Sequence, residues 1–169
     1  MSMLSRTING VVAGAVGTVA MDLLWYRRYR QDGGDADFRS WEFATSTSSF
    51  EEAGAPGKVA QKIATAVGEE LPQESAGTAT NVMHWLTGAG YGIGHALLHH
   101  RRGALLGGAL TGLAAFGNSY AGLGALGIYK PIWQYDGDTL QKDLGAHLVF
   151  GAATALAYSA LQGLARSDT

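Results

Sequence analysis

Residues 7–26 read TINGVVAGAVGTVAMDLLWY and run without a break into RRYR at 27–30. An uncharged run of this length, interrupted only by Asp22, matches the roughly 20 residues that a membrane-crossing helix requires. Trp25 and Tyr26 followed by Arg27, Arg28 and Arg30 have the order of an interfacial aromatic belt and a basic stop. The run also follows Arg6 and contains small residues, as a secretory signal would. Its continuation through Leu23 and Leu24 into the basic cluster favours an anchor that stays.

Three more segments of this kind follow, at about 80–98, 103–128 and 140–164, with HHRR between the second and third. Their faces carry small residues four apart: Gly10 with Gly14, Gly88 with Gly92, Gly90 with Gly94, Gly103 with Gly107 and Gly108 with Gly112. A glycine inside a water-exposed helix costs about 1 kcal/mol relative to alanine, whereas in lipid it lets two backbones approach and pack. The pattern predicts an all-α fold: a four-helix transmembrane bundle forming one integral-membrane domain over 1–169. Mean hydropathy is only slightly positive, which keeps a soluble helical bundle as the competing expectation. The many Gly and Ala residues, weakly hydrophobic, explain much of that low value.

Composition narrows the function classes. Charged residues make up 15% of the 169 positions and the net charge is -2, which argues against a nucleic-acid partner. The lack of cysteine excludes disulfides, thiolate zinc sites, cysteine nucleophiles and thiolate-held iron–sulfur clusters. No nucleophile elbow or Walker loop occurs, and GAGYGIG at 88–94 has no strand before it to make a dinucleotide fingerprint. The chain is therefore not expected to be an enzyme. Membrane lipid is the expected partner.

The polar segment 31–79 is too long for a plain connection. Ser48 with Glu51, or Ser49 with Glu52, offers a capping box. After GAPG, Val59, Ile63 and Val67 predict one short amphipathic helix that caps the bundle or lies on the lipid interface. The connection 129–139 carries Tyr129, Trp133 and Tyr135, residues that favour the membrane–water boundary. With helices running alternately up and down, both segments emerge on one face and form a lid.

The same face collects the polar residues of the spans. Asp22 lies near the end of the first, Asn81 and His84 open the second, Asn118 lies toward the end of the third, and Asp143 and His147 open the fourth. Ionisable groups within a bilayer are costly, by about 2.5–3.5 kcal/mol on insertion scales, so a cluster of them is a functional hypothesis. The spacings Asn81/His84 (i, i+3) and Asp143/His147 (i, i+4) put each pair on one helix face.

Several chemistries fit the cluster. It can bind or conduct a small solute, proton or ion, with His titrating near neutrality; four short helices make a thin wall, so a dimer or larger homo-oligomer is expected. His84, His147, Asp143 and Asp22 form an adequate metal shell, and His84 with His147 could hold one haem. His95, about 16 Å further along the second helix than His84, is left spare, and His99 and His100 read as headgroup contacts. The structural alternative is a scaffold without ligand, in which Asp143 pairs His147 or Lys142 and Asp22 reaches toward Arg27.

The segments NVMHW (81–85), YKPIWQYD (129–136), KDLGAHLVFG (142–151) and FEEAGAPGKVAQKI (50–63) together resemble an uncharacterised family of small bacterial membrane proteins and, more distantly, the YagU-like inner-membrane proteins. The likeness covers most of the chain. It implies a multi-span protein of the bacterial inner (plasma) membrane with the first long loop outward, contrary to the count of basic residues. It supplies no activity beyond a suggested link to acid tolerance.

Overall fold

The computed structural model describes residues 2–167. It is all-α, 80% helical, with no strand among the described residues. Four long helices make the bundle: α1 (Met3–Gln31), α4 (Ala76–Gly94), α5 (Gly103–Ala125) and α6 (Gly137–Ser167). Two short helices, α2 (Phe38–Glu42) and α3 (Ala55–Ala66), lie in the first connection. The four expected segments are thus all helical, although only α1 and the Gly137–Leu164 part of α6 are long and apolar enough to cross a membrane. Glycine together with Thr, Asn, Ser and His dilutes α4 and α5 below that level.

Local chemistry sets the ends. Ser2 caps α1 by accepting from the Ser5 amide at 3.1 Å, and Arg28 and Arg30 occupy the last turn, where cations complement the helix dipole. At the start of α6, Asp136 accepts from the Thr139 amide and hydroxyl, both at 2.8 Å. Between α4 and α5 the chain widens into a π-helical turn, His95–His99, tightens into a 3-10 turn, His100–Arg102, and reverses at Gly103. The φ of +75° there belongs to the left-handed side that glycine adopts without steric cost.

Helix α1 packs on α4 and α6, and α6 packs on α5, while α4 and α5 barely touch beyond the turn that joins them. The contacts are backbone to backbone. A Cβ added at Gly10 would lie 2.9 Å from the Gly92 carbonyl oxygen, and one at Gly14 would strike the Gly88 carbonyl. In the same way Gly108 abuts the Gly151 carbonyl at 2.9 Å, Gly112 the His147 carbonyl at 2.5 Å, and Gly17 the side chain of Thr154. The expected role of Gly10/Gly14, Gly88/Gly92 and Gly108/Gly112 is borne out. Gly90, Gly94 and Gly103 differ, since a Cβ at any of them meets nothing within 4 Å, and Gly107 lies against the His99 carbonyl of the joining turn at 2.8 Å.

Close approach of this kind leaves little interior room for large side chains. Among the described residues the buried core of the four-helix bundle is Ala13, Ala76, Ala96, Ala115, Ala146 and Ala155 with the aromatics Tyr120, Phe150 and Tyr158, and holds no Leu, Ile or Val. The large aliphatics point outward on all four long helices, among them Leu105 at 91% exposure, Leu156 at 62% and Leu86 at 60%.

These contacts generate a paired expectation. Gly14→Val should lower the stability of the detergent-solubilised protein by about 1–3 kcal/mol, as is typical of overpacking, and its unfolding midpoint with it, whereas Gly90→Val should leave both nearly unchanged. Equal effects in a thermal-unfolding assay would contradict the packing described.

Candidate functional site

The gap between α4 and α5 holds a cavity of about 470 Å³. Its walls include Asp22 on α1, His84 on α4, Asn118 on α5 and Asp143 with His147 on α6. Five of the six residues singled out in the sequence therefore share one space. Ala55, Pro56 and Val59 of α3 and Tyr129 of the last connection also line it, so both segments expected to form a lid reach the cavity.

Two carboxylate–imidazole pairs stand there. Across the α1–α4 contact, His84 Nε2 donates to Asp22 at 3.0 Å (Oδ2) and 3.1 Å (Oδ1). An ionised carboxylate only accepts, so Nε2 carries the hydrogen. Within α6, His147 Nδ1 donates to the Asp143 main-chain oxygen at 2.9 Å and lies 3.3 Å from Oδ1. A carbonyl also only accepts, which places the hydrogen on Nδ1 and leaves Nε2 with the Ser119 hydroxyl at 3.4 Å. Next to this pair, Tyr120, Tyr129 and Tyr135 form an aromatic triangle with ring centroids 5.2–6.1 Å apart. Burial, and after it the nearby Asp143 carboxylate, holds the Tyr129 hydroxyl above its ordinary pKa.

Of the two partners expected for Asp143, it meets His147, while Lys142 pairs with Asp138 at 2.6 Å, one turn back along α6. Other expectations are corrected: Asp22 meets His84 instead of reaching Arg27. Asn81 does not line the cavity; its Nδ2 donates to the Phe43 carbonyl at 2.8 Å and the Gly77 carbonyl at 3.0 Å. The expected metal shell of His84, His147, Asp143 and Asp22 is divided between the two pairs. Among the described residues, the ligand atoms that lie within 4.8 Å of one another are those of Asp22, Glu42 and His84. A haem held by His84 and His147 is not preformed either, because His84 uses Nε2 on Asp22 and His147 Nδ1 is committed to Asp143.

Glu42 is the site residue that periodicity missed. It ends α2, a five-residue helix in the polar segment 31–79, where one amphipathic helix further on was the expected element. A local signal was present: Asp37 caps this helix, accepting from the Ser40 amide at 3.1 Å and the Ser40 hydroxyl at 2.6 Å. Aromatic packing then seats α2 on the end of α1, with Tyr26 against Phe38 at 5.2 Å and against Trp41 at 5.5 Å. Tyr26 also donates to the Ala36 carbonyl, and Tyr29 accepts from the Ala36 amide, both at 3.1 Å. Asn81 completes the anchorage by holding Phe43, the residue after Glu42. The expected amphipathic helix is present as α3, which packs on α4. The expected capping box instead braces a turn, where the Ser48 hydroxyl donates to Glu52 at 3.0 Å and no helix begins.

At the opposite end of the bundle, His95 and His99 are not spare or merely interfacial. His95 is buried, and both Nδ1 atoms meet the Thr111 hydroxyl, at 2.9 and 3.1 Å. Thr111 donates its one hydrogen to the Gly107 carbonyl at 2.9 Å, which leaves its lone pairs to accept from both imidazoles. His100 packs against Tyr158, with centroids 6.2 Å apart.

Comparison of the chain with protein-family models, with curated proteins and with solved structures finds no match.

The anchorage makes its own prediction. Asn81→Ala should release the segment around Phe43 at a cost of about 1 kcal/mol, the net worth of a typical hydrogen bond. Limited proteolysis should then cut within 38–47 several-fold faster while helical content stays constant; an unchanged cleavage rate would show that Asn81 does not hold the lid.

Proposed function

We propose that this chain is a four-span protein of the bacterial inner membrane whose lidded cavity binds and exchanges protons, or a small polar solute that carries them, at the pairs Asp22–His84 and Asp143–His147. The observation that carries this reading is that two carboxylate–imidazole pairs, one on the α1–α4 side and one on α6, line one cavity inside a bundle whose outer surface is apolar.

The outward Leu and Val residues support placing α4 and α5 in the bilayer together with α1 and α6. A water-soluble bundle buries its large aliphatics, and a monomer exposes few contiguous apolar patches; here Ala and Gly with a few aromatics are inside and the large aliphatics outside, as suits lipid-facing helices. Membrane lipid then covers Leu86, Leu105 and Leu156. The resemblance to small inner-membrane proteins agrees with this location. Because α4 and α5 separate along most of their length, the gap between them opens sideways, and a second copy of the chain would close it. Each pair holds an imidazole whose pKa in water is near neutrality beside a carboxylate, which suits reversible proton exchange.

Proteoliposomes loaded with a pH-sensitive dye test the reading. The intact chain should dissipate an imposed proton gradient faster than protein-free vesicles, and His84→Ala and His147→Ala should each fall to the protein-free rate while retaining helical content. Wild-type flux equal to that of empty vesicles, with both variants losing thermal stability, would favour a scaffold without ligand.

A further inference from the structure

Asp22, Glu42 and His84 come from three separate elements, α1, α2 and α4, yet their ligand atoms all lie within 4.8 Å of one another. Asp22 is only 4% exposed. Glu42 Oε1 is buried and has no hydrogen-bond partner among the described residues. A buried carboxylate oxygen without a donor is a costly arrangement, and here it lies beside a second carboxylate. Of the basic residues nearby in sequence, Arg28 donates from Nη1 to the Lys142 carbonyl at 2.9 Å and Arg30 from Nη1 to the Asp35 carbonyl at 3.1 Å. Among the described residues, the ion pair made by these two carboxylates is that of Asp22 with the His84 imidazole.

We infer that Asp22, Glu42 and His84 form a binding site for one divalent first-row metal cation at the lid end of the cavity, with Glu42 contributed by the lid. Two carboxylate oxygens and one imidazole nitrogen suit zinc, manganese or iron. Three protein ligands leave a coordination position open to water or solute, and two of the three, Asp22 and His84, also line the cavity. A tetrahedral cation with ligands at about 2.0–2.2 Å holds them roughly 3.3–3.6 Å apart, so binding releases the hydrogen on His84 Nε2 to solvent as a proton, opens the 3.0 Å contact between His84 Nε2 and Asp22 and turns the Glu42 side chain inward. A cation would satisfy Glu42 Oε1, offset the charge of two adjacent carboxylates and tie α2 to α1 and α4. Without it, burial and then the Asp22 carboxylate hold the Glu42 pKa above the ordinary carboxylate value. The metal would close the lid as well as occupy the site. This assignment does not depend on proton flux, since binding is read on the solubilised protein.

The test is calorimetric titration of zinc and, separately, manganese into the tag-free, chelator-treated full chain in detergent. One cation per chain should bind the wild type. Glu42→Gln, a change at the rim that leaves the bundle core untouched, should weaken binding at least tenfold, and His84→Gln should do the same. Asp143→Asn, at the separate pair, should bind as the wild type does. Cobalt titrated in place of zinc should give a visible absorption band that Glu42→Gln shifts or abolishes. Absence of stoichiometric binding, or affinity and cobalt spectrum unchanged in Glu42→Gln, would overturn the proposal whatever the flux assay shows.

Discussion

The contact of glycine backbones across α1–α4 and α5–α6 is the constraint from which the other features follow. Once Gly10 and Gly14 lie against Gly88 and Gly92, and Gly108 and Gly112 against Gly151 and His147, no Leu or Val fits between those helices, and the large aliphatics turn outward. Such an interface gains little from the hydrophobic effect in water. It is stabilised by close packing, the force that remains available in lipid. The same two tight contacts, joined through α1 and α6, hold α4 and α5 apart and so create the cavity.

The polar groups occupy what this arrangement leaves. Asp22 and His84 bridge the α1–α4 contact beyond its glycine zone, and Asp143 and His147 face the same space from α6. A buried carboxylate or imidazole is tolerated when its hydrogen bonds are satisfied, and each pair satisfies much of its own requirement. Both pairs remain accessible to whatever enters, because the wall between α4 and α5 is missing along much of their length. The far end is sealed differently, by the shared Thr111 hydroxyl that fixes His95 and His99.

Much of this was legible in the sequence. Hydrophobic run length placed all four long helices, small-residue spacing picked out three of the glycine pairs that form the two tight contacts, and the alternation of helix direction brought Asp22, His84, Asn118, Asp143 and His147 to one end. Spacing could not say which way each glycine faces around its helix, so Gly90 and Gly94, on the open side, read the same as Gly88 and Gly92. Pairing was also beyond it. Asp22 is five to eight residues from three arginines in sequence but meets a histidine 62 positions away, because α1 and α4 cross there. Glu42 was missed because it is brought to the site by tertiary contacts, the Tyr26–Trp41 packing and the Asn81 hold on Phe43, and not by any apolar period. Asn81 itself, polar and one turn before His84, looked like a cavity residue but acts on the lid.

The central claim is that a hydrated polar cavity lies inside a bundle with a lipid-facing apolar exterior. The chain contains no cysteine, so single cysteines can be introduced without background and probed in membranes with a small, water-soluble, thiol-reactive reagent. The account predicts that Asn118→Cys and Thr87→Cys, on the cavity wall, react readily, while Leu113→Cys and Leu156→Cys, on the outer surface, stay unreactive. Rapid labelling at Leu113 and Leu156 together with protection at Asn118 and Thr87 would contradict it.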